Sequence, residues 1–424
     1  MSNNKIIAFV GGRLIDGTGD APLDDSIVIV QGEKIIAVGK SGDVEIPPQA
    51  ERIDVTGKTV MPGLIDAHAH FFGVRNMDPV TLIIDPSHQR AMRATMEAWR
   101  VVDAGFTTVR DPAGMLGIYL KRAIKEKSII GPRILAAGLV ISQTAGHGDL
   151  PFVPKELVKI GILSRIADGV EEIRKASREQ LRAGADFLKI MTTGGVISDD
   201  DPQACQFSVD EIRALVKVAR NARVRTAAHA QGLQGIKNAL IAGIDSIEHG
   251  FYLDDECIEM MLDQGTYLVP TFAAFEAIIA HGRKAETGAK EQFVRKAEKA
   301  QEAHVESFKK AFNAGVTCGL GTDYPCDPFA PMGANAAELE IYVNKVGLSP
   351  MDTIVCATRN NAQVLGLEKE LGTLEAGKLA DLLVVDANPL DDIGVLRDKT
   401  KIDTVLKAGK PIPRLFLDTE GDFK

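Results

Sequence analysis

The chain is short of the features that mark several large protein classes. It has only five cysteines in 424 residues, Cys205, Cys257, Cys318, Cys326 and Cys356. None sits in a C-x-x-C pair, so neither a disulfide framework nor a cysteine metal site is expected, and free thiols in a reducing compartment are. No apolar run approaches the roughly 20 residues that a membrane span needs. The first one, Ile6 to Val10, is also too short for the apolar core of a secretory leader. A cytoplasmic location without membrane contact is the expectation. An excess of basic residues is missing as well: 49 Lys and Arg face 58 Asp and Glu, a net charge of −9. Nucleic acid, which needs clustered cations against its phosphates, is therefore not an expected partner. The phosphate-cradling patterns G-x-G-x-x-G and G-x-x-x-x-G-K-[ST] do not occur.

What is present is alternation. The first sixty residues (IIAFVGGRLIDGTG, DSIVIVQGEKIIAVG, AERIDVTGKTVMPG) are short apolar runs broken by Gly, Asp and Pro, a β pattern. LADLLVVDANPL and IDTVLKAGKPI near the other end read the same way, and the two ends can share one small sheet. Between them lie eight β-like runs: GLIDAHAHF, FTTVRD, RILAAG, DFLKIMT, VRTAAHA, DSIEHG, TYLVPTF and TCGLGTD. Longer stretches with apolar residues at i, i+3, i+4 separate most of them. Several of these helical stretches end in Ala-Gly, a glycine C-cap. Ser208 and Glu211 form a capping-box pattern. Eight strand–helix units predict an α/β fold, a closed (β/α)8 TIM barrel, with an open doubly wound sheet as the runner-up.

In such barrels chemistry sits at the C-terminal strand ends. The first run ends in His68 and His70, the fifth at His229, the sixth at His249, the eighth at Asp323, and the fourth carries Lys189. Residues i and i+2 of a strand share a face, so His68 and His70 project together. Imidazole and carboxylate ligands suit Zn²⁺, with Mn²⁺, Fe²⁺ and Co²⁺ as competitors. A single strand-end histidine is usually packed or solvated, but four of the chain's eight histidines fall at such ends.

PGLIDAHAHF, FLKI, AAHA, IEHG and GTD, in this order, resemble the amidohydrolase superfamily over nearly the whole chain. The resemblance is closest to the imidazolonepropionase-related group that holds Xaa-Pro dipeptidases (prolidases). It implies a β-sandwich domain split between residues 1–60 and 366–424, around a metal-dependent hydrolase barrel at 61–365. It further implies two divalent ions, expected to be Zn²⁺: His68, His70 and Asp323 for one, His229 and His249 for the other. Lys189 would bridge them as an N6-carboxylated carbamate, since an ammonium cannot ligate a cation. Asp323 would also shuttle a proton as general base and acid. The reaction implied is cleavage of the amide bond in a dipeptide or N-acyl amino acid with a free C-terminal carboxylate, Xaa-Pro favoured. A dipeptidase for Xaa-Arg or Xaa-Lys and an ochratoxin-type amidase are the alternatives.

Further positions are candidates for substrate contact. His147, in the Gly-rich loop SQTAGHGD, matches the prolidase-like histidine implicated in binding the terminal carboxylate. Tyr252 in EHGFY offers a phenol to a developing oxyanion. In TTGGV, the backbone N–H groups of Gly194, Gly195 and Val196 could meet a carboxylate. Arg110-Asp111 reads as a buried structural ion pair, and His88, His281 and His304 as solvated or structural. The stretch Ala273 to Ala311 reads as a solvated helix. Deamination is disfavoured because His229 is followed by Ala-Gln-Gly where deaminases resemble a His-x-x-Glu pattern. Imidazolonepropionase is disfavoured by Lys189, and a non-catalytic scaffold by the complete ligand set. A homo-oligomer is expected, although no stripe in the sequence marks its interface.

Overall fold

The computed structural model describes residues 5–76, 78, 80–149, 163–324 and 329–414; Cys326 lies outside them. The two ends of the chain do meet in one eight-stranded sheet. Its order runs Lys410–Pro411, Ile402–Lys407, Leu382–Val385, Thr59–Pro62, Ile6–Leu14, Leu23–Gln31, Lys34–Lys40, with Glu51–Asp54 paired to Ile6–Leu14. Strand alternation explains its two apolar faces: Ile7 and Phe9 pack with Val28, Val30, Leu382 and Val384, whereas Ile6 and Ala8 pack with Ile27 and Ile29.

The middle of the chain is parallel throughout. Leu64–Asp66, Phe106–Asp111 and Arg133–Ala136 form a three-stranded sheet. A six-stranded sheet runs Ser164–Ile166, Val140–Ser142, Phe187–Met191, Arg225–Ala230, Ser246–His249, Tyr267–Val269. Hydrogen bonds join the two at both edges. On one side Asp186 N–H donates to Ala136 O at 2.8 Å. On the other, residues 317–323 lie between Tyr267–Val269 and Leu64–Asp66, through a parallel bridge from Leu268 to Cys318 and the Ala67 N–H to Leu320 O bond of 2.9 Å.

Two expectations change here. Residues 317–323 are not a regular strand but hold a single isolated bridge, and the stretch presses against its neighbours: a Cβ on Gly321 would stand 2.7 Å from that of His68, and one on Gly319 would stand 2.3 Å from Asn361 Oδ1. Val140–Ser142 and Ser164–Ile166 are additional to the eight runs. The main core fills the space between strands and helices, with Phe71, Phe106, Leu188, Ile190, Ile236, Ile247 and Leu268 fully or almost fully buried. Helix ends follow their caps. Gly184, Gly243 and Gly315 adopt the left-handed conformation after Ala183, Ala242 and Ala314. The Ser208 N–H donates to Glu211 Oε2 at 2.8 Å, completing the expected capping box.

Candidate metal centre

Asp66, the last residue of its strand, holds the ends of two segments together. Its carboxylate accepts the His68 N–H at 3.0 Å, the Thr322 hydroxyl at 2.8 Å and Asn335 Nδ2 at 2.7 Å. His68 and Asp323 are thereby brought side by side, and the Asp323 N–H donates to His68 O at 2.6 Å. His68 Nε2 lies 3.3 Å and His70 Nε2 3.0 Å from the same oxygen, Asp323 Oδ1. Ligand atoms of His68, His249 and Asp323 all fall within 4.8 Å of one another. His229 completes the cluster, its ring centroid 4.6 Å from that of His249.

Three of the imidazoles have their far edge fixed. His68 Nδ1 is 2.7 Å from Glu248 Oε2, His249 Nδ1 is 2.7 Å from Thr271 Oγ1, and His229 Nε2 is 3.0 Å from Gly194 O. Such outer contacts set which ring nitrogen is offered to a cation. Three non-glycine residues here hold positive φ: His249 at 74°, Thr271 at 62° and Asp323 at 55°. For the β-branched Thr271 this is a costly backbone, and such strain concentrates at functional sites. Glu338 offsets it by accepting the N–H of Phe272 at 2.9 Å and that of Ala273.

The electrostatics fit a cation. Burial alone would raise the Asp323 carboxyl, but the imidazoles of His68, His70 and His249 hold it well below the usual range. Burial keeps His229 and His249 well below ordinary histidine, helped by neighbouring positive groups. Burial opposes charge on His70 too, yet Asp111 and Asp323 raise it to about 9. The proton stands where a cation would neutralise that negative charge. Lys189 is 3% exposed, forms no ion pair among the described residues, and is lowered to about 8, chiefly by burial. A buried ammonium is costly, and the charges of Glu248 and Asp323 offset only part of that cost.

Several expectations are corrected. Arg110 does not pair with Asp111. Its Nη2 bonds both oxygens of Glu248 at 2.7 Å, and Nη1 donates to Ser246 Oγ at 3.0 Å. Asp111 instead faces His70, with Oδ1 3.6 Å from Nδ1. Glu248 is fully buried; burial opposes its charge, but Arg110, His68 and Lys189 keep it strongly acidic. Sequence reasoning missed this residue, although an acid inside the apolar run DSIEHG demands a partner. The N–H groups expected to meet a carboxylate are already engaged: Gly194 with Ala204 O at 3.0 Å, Gly195 with Asp200 Oδ1 at 3.2 Å, Val196 with Gln231 Oε1 at 3.1 Å. The segment shapes the site through its glycines and carbonyls instead.

A cavity of about 200 Å³ opens over the cluster. Its floor is His68, His70, Lys189, His229, His249 and Asp323, and its walls include Phe72, Val74, Leu82, Phe275 and Phe293, with His147 and Ser198 as polar members. Tyr252 is not among the lining residues. It packs beside Phe251, and burial raises its phenol. The stretch from Ala273 to Ala311 is more than a solvated helix. Phe272–His281 and Glu291–Ala314 bury one face through Phe293, Val294, Ala297 and Phe308, and Phe275, Lys290 and Phe293 line the cavity. His88 is exposed, His281 stacks on Phe329, and His304 is buried among Phe251, Phe272 and Phe275.

The amidohydrolase family model matches residues 59–412, a span that runs from the terminal sheet through every residue of the cluster. The chain belongs to the amidohydrolase family. The ochratoxinase of Aspergillus niger is 35% identical over 430 residues, covering 96% of this chain and 86% of the relative. Its crystal structure matches with a TM-score of 0.89 at 32% identity, over 97% of this chain and 96% of that one. A prolidase complexed with N-methylphosphonate-L-proline matches at 34% identity and a TM-score of 0.88, over 97% and 100% of the two chains. A Xaa-Pro dipeptidase with methionine bound in its active site matches at 34% and 0.85, over 96% and 99%. This amidohydrolase therefore has an α/β fold of the TIM-barrel type and is a hydrolase acting on amide bonds.

Proposed function

We propose that the protein is a metallodipeptidase-like amidohydrolase that cleaves dipeptides or N-acyl amino acids carrying a free C-terminal carboxylate, with Xaa-Pro favoured. The observation that carries this reading is the convergence of four imidazoles, Asp323 and the unpaired Lys189 on the floor of one largely apolar cavity. His68, His70 and Asp323 would hold one divalent ion and His229 and His249 a second, with Lys189 as an N6-carboxylated bridge. Zinc suits this nitrogen and oxygen set. When bound, the ions supply an acidified water and an electrophile for the scissile carbonyl. The chain's own residues do the rest. Asp323 takes a proton from the attacking water and returns it to the departing nitrogen, which leaves only when protonated. Glu248, held by Arg110, and Thr271, followed by the Phe272 N–H that Glu338 accepts, keep His68 and His249 from turning. The apolar wall keeps bulk water off the reacting centre, and His147 faces the substrate's carboxylate.

The wall also favours a second reading, an aryl-acyl amino acid of the ochratoxin type, because Phe72, Phe275 and Phe293 offer aromatic faces to an acyl group. The similarity to ochratoxinase supports it. A basic leaving residue is less favoured, since Asp199 in the same wall already pairs with Lys290 at 2.9 Å. The reading extends to the rest of the molecule: a β-sandwich domain of residues 1–60 and 366–424 around a (β/α)8 barrel at 61–365, and a cytoplasmic homo-oligomer acting on small molecules, with neither nucleic acid nor membrane as a partner. Among the described residues no helix is long and apolar enough to cross a membrane.

Metal-replete protein should be assayed in parallel on Xaa-Pro, Xaa-Arg, N-acyl-proline and an aryl-acyl amino acid. Turnover of none of them would overturn the proposal. Native mass spectrometry should show one added CO2 that Lys189→Ala removes.

A further inference from the structure

We propose that Asp200 and Ser198 are positioning residues that fix the ring of His147 for a substrate carboxylate, making the loop after the strand Phe187–Met191 a specificity element. This rests on the proposed cleavage of substrates with a free carboxylate.

His147 comes from one loop and its partners from another, 51 residues further along. Its Nδ1 is 2.7 Å from Ser198 Oγ and 3.7 Å from Asp200 Oδ1. The Ser198 hydroxyl donates in turn to Asp200 Oδ1. The same carboxylate controls the histidine's backbone. Asp200 Oδ2 accepts from Gln206 Nε2 at 2.5 Å, and Gln206 Oε1 accepts the His147 N–H at 2.9 Å. Lys296 gathers the loop from outside, donating to Ser198 O at 2.8 Å, to Gly195 O at 3.4 Å and to Asp200 O. One carboxylate thus governs both the ring and the main chain of His147.

The ring itself is closely packed. It stacks on His229, with centroids 4.2 Å apart at 24°. Gly195 also lies against it, where a Cβ would stand 2.1 Å from His147 Cε1. Gly195 does not have positive φ, so the glycine is required by space and not by backbone conformation. With the ring packed in this way and Nδ1 committed to Ser198, the free edge is Nε2. It has no partner among the described residues, and the ring lines the cavity. Because the Ser198 hydroxyl donates to Asp200, Nδ1–H donates to Ser198, and Nε2 is a donor only when the ring carries both protons; in that form the edge is a receptor for an anion, since charge-assisted hydrogen bonds are roughly twice as strong as neutral ones. Asp200 is well suited to back it: burial opposes its charge, yet His147, Ser198 and the Gly195 N–H keep it ionised.

The test compares N-acyl-proline with the corresponding N-acyl-prolinamide on wild type, Asp200→Asn, Ser198→Ala and Gly195→Ala. In Asp200→Asn, KM for the acid should rise about tenfold, the scale of one strong hydrogen bond, with kcat within about twofold and with KM for the amide and the bound metal as in wild type. In Gly195→Ala, whose Cβ displaces the ring stacked on His229, KM for the acid should rise at least as far. Ser198→Ala should show the same pattern more weakly. Equal rises on acid and amide, or an unchanged KM for the acid, would overturn the proposal. If Asp200→Asn does not fold, the other two variants carry the comparison. Calorimetric titration with free proline and prolinamide reads the same preference without turnover. A wild type that turns over nothing but prefers proline, in a manner lost in the variants, overturns the proposed reaction and retains this inference. A wild type with no preference for proline overturns this inference.

Discussion

The floor and the wall of the cavity are built by opposite means. Every floor residue stands in or near a β-strand or the stretch 317–323, and buried charge orients His68 and Asp323: Glu248 with Arg110 behind His68, Asp66 between His68 and Asp323. The wall that holds His147 is two loops joined by side chains, Ser198, Asp200, Gln206 and Lys296. The difference separates two tasks. On the proposed function, placing ions and a proton shuttle tolerates little displacement, and strands in register supply that rigidity. Choosing a substrate is left to loop contacts, which can change without disturbing the strands.

If this division holds, variants of the floor should abolish reaction while variants of the wall should redirect it. The largest effect is expected for Asp323→Asn. It should lower kcat by roughly 10³-fold, the scale of a lost general acid–base, on acid and amide substrates alike. A loss confined to KM would break the comparison. Next comes Glu248→Gln, which leaves Arg110 buried without its counter-charge. It should cost about 3–5 kcal/mol of stability, read from denaturant midpoints, and weaken metal binding about 10- to 100-fold in a competition titration. A variant as stable as wild type would show the pair to be dispensable.

A smaller effect concerns the apolar backing of the floor. His304 is lowered from 6.5 to about 3, chiefly by burial among phenylalanines. A depressed value means the folded state favours the neutral ring. Its contribution is complete above pH 6.5 and is lost as pH falls toward 3. His304→Phe should therefore flatten the acid limb of a stability-against-pH curve within that window. An unchanged slope would remove His304 from the account. The smallest effect is expected for Tyr252→Phe, less than about twofold in kcat; a loss of 10² or more, the scale of an oxyanion donor, would return Tyr252 to the site.

Much of the floor's membership was legible because short motifs carry it. His229 and His249 stand at the C-terminal ends of parallel strands, whereas His68 and His70 follow the strand Leu64–Asp66 and Asp323 ends the irregular stretch 317–323, so motif and not strand periodicity points to these three. The partner of Arg110 was not legible. Its neighbour Asp111 is one residue away in sequence, whereas Glu248 is 138 away, and only strand packing shows which carboxylate the guanidinium meets. The N–H groups of Gly194, Gly195 and Val196 looked available for the same reason, since the acceptors that engage them lie elsewhere in the fold.

The sequence by itself determined the family, the alternation of strand and helix, and the kinds of side chain available to ions. These depend on local spacing, which a strand or a helix cap reads directly. The tertiary structure alone decided which carboxylate backs which imidazole, how His147 comes to rest against Gly195 and His229, and why Tyr252 stands aside. Those outcomes depend on groups remote in the chain arriving within three or four ångströms of each other, a consequence of packing the strands and loops together and not of any pattern along them.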